Sequence, residues 1–145
     1  YEVHTSPEGF ASIRQLSSGE IMHSVNRPED EAERLYIRQS ALATRLVDAT
    51  SEAPLVIWDV GLGAATNAMA ALACHERAGA HARPLRLISF EIDLDPLALA
   101  VRHASHFPHL RHAAPAALLA TGRWTHPSDR LEWELVTGDF RAQLE

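Results

Sequence analysis

Between positions 59 and 67 the chain reads Asp59-Val60-Gly61-Leu62-Gly63-Ala64-Ala65-Thr66-Asn67, an acid and two glycines set between an apolar run and an alanine-rich stretch. Glycines at this spacing permit a tight turn and let the backbone come close to a ligand, and a helix entered straight afterwards offers unpaired N–H groups. Two further acids, Glu91 and Asp139, follow the strand-like runs Leu85 to Phe90 and Leu131 to Thr137. Carboxylates accept hydrogen bonds from hydroxyl and amine donors. The chemistry on offer is therefore the holding of a small polar molecule. A Gly-x-Gly turn alone is also an ordinary strand-to-helix connection, so the case rests on three acids at three run ends.

The elements that must position these groups follow from periodicity. Leu55-Val56-Ile57-Trp58 is a continuous apolar run of the kind found in strands buried on both faces of a parallel sheet. Thr66 to Gly79 reads as a helix, Leu85 to Phe90 as a second strand, Pro96 to His106 as a helix, Pro115 to Leu119 as a short helix and Leu131 to Thr137 as a third strand. Strands separated by helices predict an α/β fold with a doubly wound (Rossmann-like), mostly parallel sheet and right-handed crossovers. In such sheets ligands bind beyond the carboxyl ends of the strands, which is where Asp59, Glu91 and Asp139 fall.

A leader precedes this core. Ser6-Pro7-Glu8-Gly9 and Ser17-Ser18-Gly19 separate the runs Glu2 to Thr5, Ser12 to Leu16 and Glu20 to His23, which predicts an N-terminal β-hairpin or small meander. Asn26-Arg27-Pro28-Glu29-Asp30-Glu31 then sets a capping side chain, a proline and three acids ahead of Ala32, Leu35, Tyr36, Leu42 and Leu46, which predicts a helix. The expected organisation is a leader over residues 1–54 and an α/β core over residues 55–145.

At 145 residues, 46% of them hydrophobic, the chain has the content of one compact domain. A formal net charge of -6 denies it the broad basic field of a protein that grips phosphate backbones by charge alone. The single cysteine, Cys74, excludes an intrachain disulfide, reads as a small core residue and fits a reducing cytoplasm. No stretch approaches the roughly 18 uninterrupted apolar residues of a membrane span, and no signal-peptide pattern opens the chain, so a soluble cytoplasmic protein is expected. The chain opens at Tyr1 and closes at Glu145 inside what reads as a new helix. A three-stranded sheet leaves exposed edges, so further strands are expected from beyond residue 145 or from a second copy in a homodimer.

Three patterns compete for the glycine segment. The nicotinamide fingerprint asks for a third glycine three residues after Gly63, where Thr66 stands, and for an acid about 20 residues further on. The phosphate loop ends in Gly-Lys-Ser/Thr, and this segment has no lysine. Asp-x-Gly-x-Gly followed by an acid at the second strand end resembles the class I methyltransferase fold. That resemblance implies a site for S-adenosylmethionine formed with Asp59, in which Gly61 and Gly63 lie against the methionine part, Glu91 accepts hydrogen bonds from both ribose hydroxyls, Asp139 holds the adenine amine and Phe140 flanks the ring.

Asp59 to Asn67 further resembles the Gly-x-Gly-x-Gly-x-Asn segment of the MnmC-like methyltransferases, which act on the aminomethyl group of a modified wobble uridine in tRNA. Ser89-Phe90-Glu91, Pro96-Leu97 and Gly138-Asp139 resemble that family's later motifs. The resemblance covers residues 55–145, adds Asn67 to the cofactor site and implies tRNA as a partner. Ala65 stands where the family has its third glycine, and the interval from Glu91 to Pro96 is longer than the family's. The Asp-rich segment that lines the family's acceptor site is missing from these residues, so no catalytic residue is assigned. Two other readings stay open: a methyltransferase with a small-molecule or protein acceptor, favoured by the negative charge, and a noncatalytic nucleotide-binding or partner module.

Several residues outside this set invite a role. Met22, His23 and Glu31 are leader candidates for the acceptor side, with a structural or solvated role as the plainer reading. His103, His106, His109 and His112 recur every third residue, but Pro108 interrupts them and no cysteine joins them. Zinc needs convergent ligands, so no metal is assigned and solvated histidines at a helix end are expected. Trp58, Trp124 and Trp133 read as packing aromatics, with Trp124 alone set in a loop where it could stack on a base. Arg102, Arg111 and Arg123 read as a local basic patch or a solvated face.

Overall fold

The computed structural model describes residues 1–22, 26–48 and 50–143. The leader begins as a hairpin of β1 (Glu2–Thr5) and β2 (Ala11–Arg14), paired antiparallel with Val3 opposite Ile13. Its turn forms because the Ser6 hydroxyl oxygen accepts from the N–H groups of Glu8 and Phe10 while Gly9 takes a positive φ of 83°. Among the described residues of the third run, Ile21 forms a single bridge, to Arg14.

The leader helix starts where the proline predicts, but Arg27 rather than Asn26 occupies the cap and no side chain bonds there. α1 (Pro28–Ala32) passes into a π-helical segment, Glu33–Arg38, then Ala41 adopts a left-handed backbone (φ 53°) before α2 (Leu42–Val47). The buried residues explain the break. Ala32, Ile37, Leu42 and Leu46 are the ones at or below 3% exposure, whereas Tyr36 is half exposed. Steps of five residues rotate away from one face in a regular helix of 3.6 residues per turn, and a wider turn plus a break returns them to it. The Ser40 hydroxyl donates to the carbonyl oxygens of Tyr36 and Ile37, which the interruption leaves without helical partners.

The core alternates as expected: β3 (Leu55–Val60), α3 (Thr66–Ala78), β4 (Leu85–Glu91), α4 (Asp95–Arg102), α5 (Ala113–Thr121), β5 (Arg123–Thr125) and β6 (Leu131–Thr137). β3, β4 and β6 pair in parallel, and the unanticipated β5 pairs antiparallel to β6, giving the order β3-β4-β6-β5. β5 exists because Gly122 (φ 72°) ends α5 and the turn at His126 to Asp129 sends the chain back. α4 is shorter than predicted and gives way to a 3-10 turn at Pro108–Arg111. α5 is longer because His112 caps it, its Nδ1 accepting from the Ala114 N–H at 3.0 Å.

Right-handed connections that advance in one direction across a sheet put their helices on one face. From β3 to β4 to β6 the chain advances in one direction. Leu55, Leu85, Leu87, Leu131 and Trp133 are accordingly buried, while Val56, Trp58 and Val60, of the opposite parity, are 53%, 55% and 55% exposed. The expectation that β3 is buried on both faces is corrected on this point. A continuous apolar run does not tell covered faces from faces awaiting cover.

Ala41 is exposed and left-handed. That backbone costs a non-glycine residue about 1–2 kcal/mol, against a smaller entropic cost for glycine in the unfolded chain. Ala41→Gly should therefore raise stability by about 0.5–1 kcal/mol, read as a higher urea midpoint at unchanged slope.

Candidate functional site

All three parallel strands end on one side of the sheet. Gly61 N–H extends the pairing by donating to the Phe90 carbonyl at 2.9 Å, and Gly138 N–H does the same to the Glu91 carbonyl at 2.8 Å. After β3 the chain turns through Gly61 (φ 84°), Gly63 (φ 53°) and Ala65 (φ 60°) into α3. Ala65 thus takes the left-handed backbone that a glycine would hold without strain, and it does so fully buried. A Cβ on Gly61 would meet nothing within 4 Å, so the space above it is open, whereas one on Gly63 would meet the Met22 sulfur at 3.4 Å. Met22, from the leader, roofs the turn.

Glu91 closes β4 and faces that turn. Its Oε2 accepts from Gly63 N–H at 3.0 Å, and its Oε1 accepts from the N–H groups of Ile92 and Asp93 at 2.8 and 3.1 Å. Asp93 in turn takes the Tyr1 hydroxyl at 2.9 Å, tying the hairpin to the strand end. Gly61, Phe90, Glu91, Gly138, Asp139 and Phe140 share a cleft of about 210 Å³. Asp139 accepts from the Arg141 N–H at 2.9 Å and remains exposed. Phe140 packs edge-on against Phe90 and Trp58, with ring centroids 4.9 and 5.8 Å apart, so its ring is already partly committed.

Asp59 and Asn67 sit elsewhere. They line a separate cavity of about 320 Å³ along the free edge of β3, together with Tyr36, Ser40 and Arg45 from the leader. Asn67 Oδ1 is buried there without a hydrogen-bond partner. Asp59 Oδ2 accepts from the Ser89 hydroxyl at 2.8 Å, and Ser89 Oγ accepts from Trp133 Nε1 at 2.9 Å, a chain running from β6 through β4 to β3. Ser89 and Trp133 are both fully buried. Burial pushes the Asp59 carboxyl up to about 6, with the Glu91 charge adding to the rise and the Ser89 bond opposing it. The residues expected from sequence therefore divide into two groups, one on each side of the glycine turn.

Sequence reasoning missed the supports. Ser89 had a signal, a polar residue at a buried-parity position of an apolar strand. His109 had none: rather than solvated, it is turned inward, with Nε2 2.9 Å from the Ala64 carbonyl oxygen and Nδ1 3.3 Å from Glu29 Oε1. His103 and His106 are exposed, and His112 pairs with Glu76 at 3.3 Å beside its capping bond. Among the described residues no three His, Cys, Asp or Glu side chains are grouped to hold a metal ion. Trp124 is packed between the rings of His112 and His126, and Arg123 pairs with Glu134 at 3.6 Å. Arg111 donates to the Ser105 carbonyl and Arg102 is exposed. Glu31 lies on α1 with its side chain partly buried, and His23 lies outside the described residues.

A parallel sheet with polar groups gathered beyond its carboxyl ends, fed by a glycine turn into a helix, defines a Rossmann-like α/β fold. No protein-family model and no curated protein matches this chain by sequence. The solved structure of MnmC2 from Aquifex aeolicus is similar to it, with a TM-score of 0.70 and 19% identity, over 99% of this chain and 44% of that one. The likeness is one of fold, and the chain spans less than half the length of that structure. No described helix is long and apolar enough to cross a membrane.

The raised carboxyl of Asp59 carries a signed pH effect. Its folded value of about 6 exceeds the ordinary 3.8, so the native state binds a proton that the unfolded chain has released. The stability this contributes is fully present below about pH 4 and is lost as pH rises through about 6. Asp59→Asn removes the dependence. Relative to wild type, the variant should gain about 2 kcal/mol between pH 4 and pH 8, measured by urea unfolding at both.

Proposed function

We propose that the chain is the cofactor-binding half of an S-adenosylmethionine-dependent methyltransferase of the MnmC-like kind, acting on the aminomethyl group of a wobble uridine in tRNA. The observation that carries this reading is the Glu91 carboxylate bonded to Gly63 N–H beside an open Gly61, with Asp139 and Phe140 completing the same cleft. The residues fit such a cofactor. Gly61 leaves open the space a side chain would fill, beside the Glu91 and Asp139 carboxylates of the same cleft.

Glu91 constrains how the ribose would be held. A carboxylate offers about four acceptor positions, and three are taken by backbone N–H groups. One ribose hydroxyl finds a free position, and a second is accommodated by displacing the Gly63 N–H. Binding is thereby coupled to movement of the turn. Asp139 is exposed beside Phe140 and can accept from the adenine amine, while the edge-on stack of Phe140, Phe90 and Trp58 provides an apolar wall. Bound S-adenosylmethionine supplies an electrophilic methyl group. What this chain's residues contribute is alignment, which accounts for much of the catalysis of an in-line transfer.

The free edge of β3, with Val56, Trp58 and Val60 exposed, belongs to the same reading: further strands or a second copy would complete the sheet and the acceptor side. Location in the cytoplasm accords with the lone buried Cys74. The net charge of -6 favours a second reading, in which the acceptor is a small molecule or a protein.

Calorimetric titration of S-adenosylhomocysteine tests the proposal. Wild type should bind, Glu91→Ala should weaken binding by at least roughly 30-fold, and NAD should not bind. Absence of binding to folded protein overturns the reading. A tRNA mobility shift at low salt separates the acceptors: no shift with intact donor binding favours the second.

A further inference from the structure

The imidazole of His109 is nearly shut off from solvent, its side chain 10% exposed, between two segments distant in sequence. Nε2 lies 2.9 Å from the Ala64 carbonyl oxygen and 3.4 Å from Thr66 Oγ1, and Nδ1 lies 3.3 Å from Glu29 Oε1. A carbonyl and a carboxylate only accept, and a neutral imidazole has one N–H. The bridge from α1 to the glycine turn is therefore complete only when the ring carries both protons.

The peptide unit it grips is a demanding one. Its carbonyl, on Ala64, receives His109, and its N–H, on Ala65, donates to the Leu62 carbonyl at 2.7 Å. That unit leads into the left-handed backbone of Ala65, a strained conformation that persists only where neighbours hold it. The groups around the ring are few. α1 presents the Glu29 carboxylate, which the bond to His109 holds below its ordinary range with a smaller effect from Arg27. The turn and α3 present the Ala64 carbonyl and Thr66, and the histidine's own segment sets Phe107 edge-on at 6.1 Å.

We propose that His109 is a positioning residue: donating from its two ring nitrogens to the Glu29 carboxylate and to the Ala64 carbonyl, it holds the glycine turn in its ligand-receiving shape. The consequence for affinity rests on the reading of this turn as the S-adenosylmethionine site. The clamp itself does not, which allows the two to be tested apart.

The experiment is amide hydrogen exchange of the ligand-free chain at a single pH, alongside S-adenosylhomocysteine titrations in the same buffer. Protection of the Ala65 amide should fall roughly tenfold in His109→Ala, while that of Leu87 in the middle of β4 stays as in wild type. His109→Gln, whose amide can still donate to the Ala64 carbonyl, should recover part of the loss. Glu29→Ala keeps the ring, removes its partner on α1 and should lower protection at the same amide by a smaller factor. Affinity should follow the same order. Ala65 protection equal to wild type in His109→Ala and Glu29→Ala, or a loss shared equally by Leu87, overturns the clamp even where the ligand binds. Protection that behaves as expected, with no ligand bound, upholds the clamp and refutes the function.

Discussion

Three backbone N–H groups, those of Gly63, Ile92 and Asp93, converge on the single carboxylate of Glu91. A buried or half-buried donor left without a partner costs about 1–3 kcal/mol, and in the positive-φ turn Gly63 N–H, unlike Gly61 N–H, has no strand carbonyl to meet. The carboxylate thus serves the fold before it serves any ligand. It fixes the distance between the end of β4 and the turn after β3, and the position of α3 follows from that turn. A ligand that uses Glu91 must exchange a bond the fold already makes, so occupancy and loop shape are physically linked.

The leader is built into the same arrangement. Its hairpin reaches Asp93 through Tyr1, its Met22 sulfur covers Gly63, and its first helix meets the turn through Glu29 and His109. These contacts come from residues 80 or more positions away in two of the three cases. The π-helical stretch at Glu33–Arg38 keeps Ala32, Ile37 and Leu42 on the inner face, and so keeps Glu29 within reach of His109.

The sheet is asymmetric. One face is sealed by α3, α4 and α5 over Leu87, Leu131 and Trp133, and the other carries Val56, Trp58 and Val60 into solvent. Toward β5 the open face turns polar, with Glu134 paired to both Arg86 and Arg123. The apolar half therefore lies at β3, the strand whose outer edge is unpaired among the described residues. Asp59 sits on that strand, held by the Trp133–Ser89 chain with its carboxyl pushed up by burial, and stability is given up there to keep a carboxyl in an apolar setting.

Much of this was legible in the chain itself. Apolar runs ending in acids placed three parallel strands, and the helices between them, because strand and helix periods are set by local geometry. The glycines at 61 and 63 marked the turn for the same reason: only local sterics were involved. The division of Asp59 and Asn67 from Glu91 and Asp139 was not legible, nor was the inward turn of His109, the extra strand β5 or the bare face of the sheet. Each depends on which distant segment lies alongside, and residue spacing carries no record of that. The sequence determined the elements and the types of group at their ends. Tertiary structure decided which groups meet, because partners such as Glu29 and His109 are brought together only by packing.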